Sequence, residues 1–140
     1  MSQRVGYVYQ TRWQEDGSAV IKARLSADDG TGSATGVSGE GNFIKQADIS
    51  TITRLIKNVT AGTDDGGASL TVSSTIVDTP VTSSAKWKTD ATGYNFIDII
   101  PATKFATGGS VYQVEYKITL TGGLVLWLKL VGEADACYTS

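Results

Sequence analysis

The clearest pattern of apolar and polar positions lies towards the C-terminal end of the chain. From Val111 to Leu120, apolar residues alternate one by one with mostly polar residues, which is the period of a β-strand with one buried face. Thr121-Gly122-Gly123 supplies turn residues, and leucine then occupies every second position from Leu124 to Leu130. The pattern predicts a β-hairpin from Val111 to Val131 whose tyrosine-and-leucine face lies in the core.

Shorter segments rich in β-branched and aromatic residues predict further strands. The two N-terminal strands flank Asp16-Gly17, which is typical of a tight turn, so we expect them to form a hairpin. A proline ends the strand that begins at Tyr94. The predicted strands are Val5–Trp13, Ala19–Leu25, Ile52–Val59, Ala68–Val77 with a break at Ser73-Ser74, and Tyr94–Pro101.

The segment before Val59 has a second interpretation. Ile49, Ile52 and Ile56 are spaced so that they could also form one face of a short helix, with Asp48 as its N-cap. Their β-branched side chains lose rotamer freedom in a helix and pack well on a pleated sheet. The residue types therefore favour a strand.

About seven or eight short strands, with turn residues roughly every ten positions, predict an all-β fold: an antiparallel, two-sheet, immunoglobulin-like β-sandwich. We assign residues 42–131 to the core of this sandwich. Residues 1–41 contribute the N-terminal strands and a Gly-rich loop, packed on the domain or extending from it. Ser26 to Gly41 has almost nothing to bury, so we expect a mobile surface loop or linker, and a role in an assembly predicts that it orders only there. Residues 132–140 are expected to form a flexible C-terminal tail.

The composition fits one folded domain. The chain has 140 residues, of which 41% are hydrophobic and 19% charged. A net charge of −2 provides no basic surface for nucleic acid. No stretch has the character of a signal peptide or of a membrane span, so we expect synthesis in a cytoplasm and no membrane partner.

The sequence argues against catalysis and against a bound cofactor or metal ion. It contains no histidine, which removes the commonest general base, and its single cysteine cannot form an internal disulfide. Asp28-Asp29-Gly30 and Asp64-Asp65-Gly66 lack a calcium-loop pattern and are typical of turns. We expect turn or solvated roles for the acids nearest to aromatic residues, which are Asp78, Asp90, Asp98 and Glu115.

The candidate functional residues lie on the other side of the predicted hairpin. If the leucines face the core, Trp127 and Lys129 point outwards together with Gln113, Glu115 and Lys117, and form a candidate interface. Trp87 and Tyr94 are further candidates for aromatic contacts, either with a protein or with sugar rings. The alternative for these two aromatics is packing in the core or over its edge.

Three segments carry a resemblance to a known group of domains: Gln46–Arg54, Trp87–Asp90 with Gly93–Phe96, and Gly109–Tyr116 before the glycine turn. With them, the chain resembles small β-sandwich domains of tailed-phage particles, as in the N-terminal domain of baseplate upper proteins and in related fibre or head-decoration proteins. The resemblance implies a non-enzymatic virion component that contacts other virion proteins and itself as a homo-oligomer.

The chain ends soon after the predicted sandwich, so we expect a capsid decoration, neck or tail/baseplate-associated subunit of a bacteriophage virion rather than a fibre with a stalk. The alternative is a carbohydrate-binding module, in which Trp87, Trp127 and Tyr94 contact glycans. The first hypothesis uses the outer face of the hairpin, whereas the second uses exposed aromatic rings.

Overall fold

The structure is a computed structural model that describes residues 6–25, 44–81 and 94–136. These residues form two β-sheets and very little helix, which confirms the prediction of an all-β protein. Trp87 and the predicted Ser26–Gly41 loop lie outside the described residues. The strands are β1 (Gly6–Gln10), β2 (Trp13–Gln14), β3 (Ala19–Ala23), β4 (Ile49–Asn58), β5 (Thr63–Asp64), β6 (Ala68–Leu70), β7 (Ile76–Val81), β8 (Tyr94–Ile100), β9 (Val111–Leu120) and β10 (Val125–Asp135).

The first sheet is built around the predicted hairpin. Its strand order is β1-β10-β9-β4-β5, with β2 also pairing with β10 and β6 with β4. β9 and β10 are antiparallel, as predicted, and the turn between them is closed where the Leu120 N–H donates to the Leu124 carbonyl oxygen at 2.8 Å. Gly123 has a φ of 92°, a conformation that favours glycine. The alternation of apolar residues along β9 therefore becomes one buried and one outward face.

The second sheet has the order β3-β8-β7 and shows that the predicted N-terminal hairpin is wrong. β1 runs parallel to β10 in the first sheet, whereas β3 pairs with β8 in the second. Asp16 does turn the chain, with a φ of 53°, but the turn carries it from one sheet to the other. Trp13 anchors this crossing, because it is 4% exposed and stacks on Phe105 with ring centroids 4.6 Å apart.

The middle strands follow the predictions closely. Ile49–Asn58 is strand and not helix, as the β-branched residues indicate, and its inward positions Ile52 and Ile56 are buried. The predicted break in the next segment is a single helical turn, Val72–Thr75, between β6 and β7. β8 ends at Ile100, directly before Pro101.

A shared core joins the sheets. Phe96 of the second sheet meets Tyr116 of the first edge to face, with ring centroids 4.9 Å apart, and both side chains are completely buried. N-terminal residues belong to this core, among them Trp13 and Ile21. The strands before residue 41 are therefore integral parts of both sheets and not additions to a core that begins at residue 42.

The flexible C-terminal tail was predicted to begin at residue 132, but the last strand extends beyond that position. β10 continues to Asp135, and its last residues pair with both β9 and β2. Ala134 is completely buried, and its N–H donates to the Ser110 carbonyl oxygen at 2.9 Å. Residues 132–135 thus belong to the sheet, since Gly132 and Glu133 extend the pairing with β9 and the last two residues pair in parallel with β2.

Candidate functional site

The outward side of the hairpin carries the predicted interface residues. Along β9 and β10, the odd-numbered positions point away from the core, while the even-numbered positions up to Leu128 are buried. We call this outward group the hairpin face. It consists of Gln113, Glu115, Lys117, Trp127 and Lys129.

Cross-strand pairs organise the hairpin face. Lys117 lies directly opposite Trp127, and its Nζ is 5.6 Å from the centroid of the Trp127 ring. Lys129 lies opposite Glu115, with 3.4 Å between Nζ and Oε2. Gln113 Nε2 also donates to Glu115 Oε2, at 3.2 Å. Exposed pairs of this kind contribute at most about 1 kcal/mol each to folding. Stability alone therefore gives little reason for this arrangement.

Trp127 is the largest side chain on this face and is 36% exposed. A cavity of about 170 Å³ lies beside it and is lined partly by Thr53, Leu55 and Gly67 of the neighbouring strands and turn. Small-molecule sites usually measure roughly 300–1,000 Å³. The cavity is thus smaller than most small-molecule sites, and the hairpin face suits another protein surface better than a small ligand.

Tyr94 lies away from the hairpin face and is buried, which agrees with the alternative prediction that it packs in the core or over its edge. It is only 7% exposed, and Lys22 Nζ lies 4.9 Å from the centroid of its ring. Little of the ring remains for a sugar or a protein partner. Since Trp87 lies outside the described residues, the candidate aromatic that the structure brings to a surface is Trp127.

Asp98 has a role that sequence reasoning missed. It lies between the two sheets, where its Oδ2 accepts hydrogen bonds from Arg54 Nη1 at 2.9 Å and from the Tyr116 hydroxyl at 2.7 Å. Both ionic side chains are about nine-tenths buried. Burial, together with the hydrogen bond to Asp98 and its charge, raises the pKa of Tyr116 well above its ordinary value. The signal in the sequence was Arg54 itself, a charged residue at an inward position between Ile52 and Ile56.

A groove of about 480 Å³ opens beside Asp98 and is lined mostly by hydroxyl and apolar side chains, including Thr71, Thr75 and Ile99. Asp98 is the ionisable group among its lining residues, and Arg54 already neutralises it. Hydrolysis of a glycosidic bond needs two carboxyl groups in different environments. Among the residues that the structure describes, the lining of the groove thus has one acid and not the pair that carboxylate catalysis would require.

The Asp64-Asp65-Gly66 segment forms a turn held by contacts of the Asp65 carboxylate with neighbouring segments. Asp65 Oδ1 accepts hydrogen bonds from the N–H groups of Ile56 and Gly67, each at 3.0 Å, and Lys104 Nζ lies 3.2 Å from the other oxygen. Burial would raise the pKa of Asp65, but these hydrogen bonds and the lysine charge together lower it. Within residues 6–25, 44–81 and 94–136, no three acidic or cysteine side chains form a group that could hold a metal ion.

In the described part of the chain, no helix has the length and hydrophobicity needed to cross a membrane. Comparison of the chain with protein-family models, with curated proteins and with solved structures finds no match.

Proposed function

We propose that this chain is a non-enzymatic structural component of a bacteriophage virion, a capsid decoration, neck or tail/baseplate-associated subunit, and that it acts by protein–protein assembly. The observation that carries the proposal is the hairpin face, where Trp127 is exposed on the outer side of the sheet among charged side chains. Tryptophan is enriched at protein interfaces and often dominates their binding energy. Three sequence segments resemble phage β-sandwich domains, and this resemblance indicates that the assembly is a virion.

The chain should accompany purified particles. Particles from a producing culture, banded on a density gradient and analysed by quantitative mass spectrometry, should contain this chain in a copy number comparable with that of other structural subunits. High-salt washing at neutral pH serves as the control for loosely adsorbed protein. A chain that remains in the soluble fraction and is absent from banded particles would contradict the proposal.

We also propose that the fold is immunoglobulin-like. The strand order supports this, since β3-β8-β7 opposes a sheet in which β4, β9 and β10 are neighbours, with short extra strands beyond β4. A second observation is the Tyr112 hydroxyl, which accepts a hydrogen bond from the Thr107 backbone N–H, five residues upstream, at 2.9 Å. Tyrosine at the start of this strand, bonded back to the preceding loop, is a hallmark of such sandwiches.

Replacing Tyr112 by phenylalanine should therefore lower the free energy of unfolding by about 1 kcal/mol, because the Thr107 N–H loses its acceptor. Urea denaturation measures the change. Thr107→Ala is the matched control, since it keeps the backbone N–H and should leave stability nearly unchanged. A Tyr112→Phe protein as stable as the wild type would argue against a structural role for the hydrogen bond between Thr107 and Tyr112.

Carbohydrate binding remains the second candidate, favoured by the cavity beside Trp127 with its hydroxyl and charged lining. Against it, Lys117 already occupies one side of the indole ring. A glycan that stacks on Trp127 should quench tryptophan fluorescence in the wild type and not in Trp127→Phe. Unchanged emission across a broad glycan panel would remove this candidate.

A further inference from the structure

We propose that two copies of the chain pair through the hairpin face, across a two-fold axis that runs parallel to β9 and β10 and midway between them. The inference rests on the proposed function, because it names the first partner of the assembly surface as a second copy of the same chain. It follows from the order of the charged and aromatic residues along the two strands.

The register of the hairpin makes this face self-complementary. Trp127 lies opposite Lys117, and Lys129 lies opposite Glu115. A two-fold axis along the hairpin exchanges β9 with β10 and leaves the position along the strands unchanged. Each residue then faces the copy of its own cross-strand neighbour. Trp127 meets the partner's Lys117, Lys129 meets the partner's Glu115, and symmetry repeats both contacts.

The contacts within one chain already demonstrate that these groups attract each other. The Lys117 ammonium lies at the Trp127 ring and the Lys129 ammonium lies near the Glu115 carboxylate, at 5.6 Å from the ring centroid and 3.4 Å from the oxygen. Lys117, Trp127 and Lys129 are partly open to solvent, which weakens both pairs in the single chain. A second copy on this face would exclude water from them, and the attraction between opposite charges and between cation and ring would increase.

The charged residues of the hairpin face also disfavour an alternative two-fold axis. A two-fold axis running across the strands at the level of Lys129 would place this lysine over its own copy and Glu115 over its own copy. Like charges directly opposite each other cost several kcal/mol at an interface. The axis parallel to the strands replaces both repulsions by ion pairs.

The size of the surface fits a stable pair. The sheet has five strand positions from β1 to β5, which at roughly 4.8 Å each gives a width of about 24 Å. The paired length of β10 against β9, from Val125 to Glu133, is about 30 Å at roughly 3.3 Å per residue. Because β1 and β5 are shorter than β9, the area is at most about 700 Å², near the roughly 800 Å² that each partner buries in a standard interface. Facing sheets pack about 10 Å apart and inclined by about 30°, so the two central rows match best.

Sedimentation velocity on the full chain tests the proposal, with single charge reversals as the probe. The wild type should form a dimer, and Glu115→Lys or Lys129→Glu should each weaken it by at least about tenfold, because each reversal creates two like-charge contacts. Trp127→Ala should weaken it by about 30-fold, as expected for a central anchor. Arg24→Glu, a reversal on the other sheet, should leave dimerisation unchanged.

The decisive experiment mixes the two single charge-reversal variants. In a one-to-one mixture of Glu115→Lys with Lys129→Glu, both contacts between the chains join opposite charges again, although each chain keeps its own like-charge pair. The mixture should therefore recover dimers that neither variant forms alone. A wild type that stays monomeric at all concentrations tested, or a mixture that recovers nothing, would overturn the proposed axis.

Failure of this inference differs from failure of the proposed function. If the wild type is monomeric but Trp127→Ala abolishes its incorporation into particles, the face binds another virion protein and the two-fold pairing is wrong. If the mixture recovers dimers but the chain is absent from particles, the pairing stands and the virion role is wrong.

Discussion

Replacing Arg54 by methionine should lower the free energy of unfolding by about 3–5 kcal/mol, because it leaves the Asp98 carboxylate charged and unpaired between the sheets. The two side chains are 8% and 10% exposed, so water cannot take over the role of the guanidinium. The Tyr116 hydroxyl would remain as a hydrogen-bond donor to Asp98, but it carries no charge. Urea denaturation followed by tryptophan fluorescence measures the change.

The matched control for Arg54→Met is a double variant that also removes the negative charge of Asp98. Asp98→Asn keeps an oxygen that can accept the Tyr116 hydrogen bond, so the double variant Arg54→Met with Asp98→Asn should be more stable than Arg54→Met alone. Breaking a buried pair costs more than removing both charges. A loss below about 1 kcal/mol for the single variant, or a double variant that is no more stable, would show that the ion pair is not effectively desolvated.

Replacing Gly132 by alanine should destabilise the protein by about 3 kcal/mol or more, since an added Cβ has no space. It would overlap the carbonyl oxygen of Thr11 and lie 2.5 Å from the carbonyl carbon of the same residue. These atoms are backbone, and the adjoining Thr11 N–H donates to the Val131 carbonyl oxygen at 2.9 Å. The chain that links β1 to β2 would have to move away from β10.

Glu133→Ala is the control for this position, because the neighbouring side chain is exposed and its removal should change stability by less than about 0.5 kcal/mol. Thermal and urea unfolding of both variants give the comparison. If Gly132→Ala is as stable as Glu133→Ala, the close approach of Thr11 to β10 does not exist in solution.

The sequence predicted those parts of the fold that depend on local alternation. The hairpin of β9 and β10 is encoded by strict alternation from Tyr112 to Leu120, a glycine turn and a second run with leucine at every other position, and one buried face follows directly from that period. β4 was predictable because its isoleucines and threonines suit a pleated sheet better than a helix. For the same reason, the residues of the hairpin face could be placed together before the structure was known.

Pairing between distant segments could not be predicted in this way. Asp16-Gly17 signals a turn, but a turn does not specify which strand lies beside β1, and its partner β10 is more than a hundred residues away. The end of β10 could not be predicted for the same reason, because Ala134 and Asp135 pair with β2 near the N-terminus. The role of Asp98 could not be predicted either, since a buried anion at this position requires Arg54 from the other sheet.

The accessibility of lysine residues in assembled particles tests most directly whether the hairpin face is an assembly surface. Acetylation of the free chain, diluted until it is monomeric, and of purified particles, read by mass spectrometry, compares Lys117 and Lys129 on this face with Lys22 and Lys45 outside it. We expect Lys117 and Lys129 to react much more slowly in particles, while Lys22 and Lys45 change less. Equal reactivity of Lys117 and Lys129 in the free and assembled states would contradict an assembly role for this face.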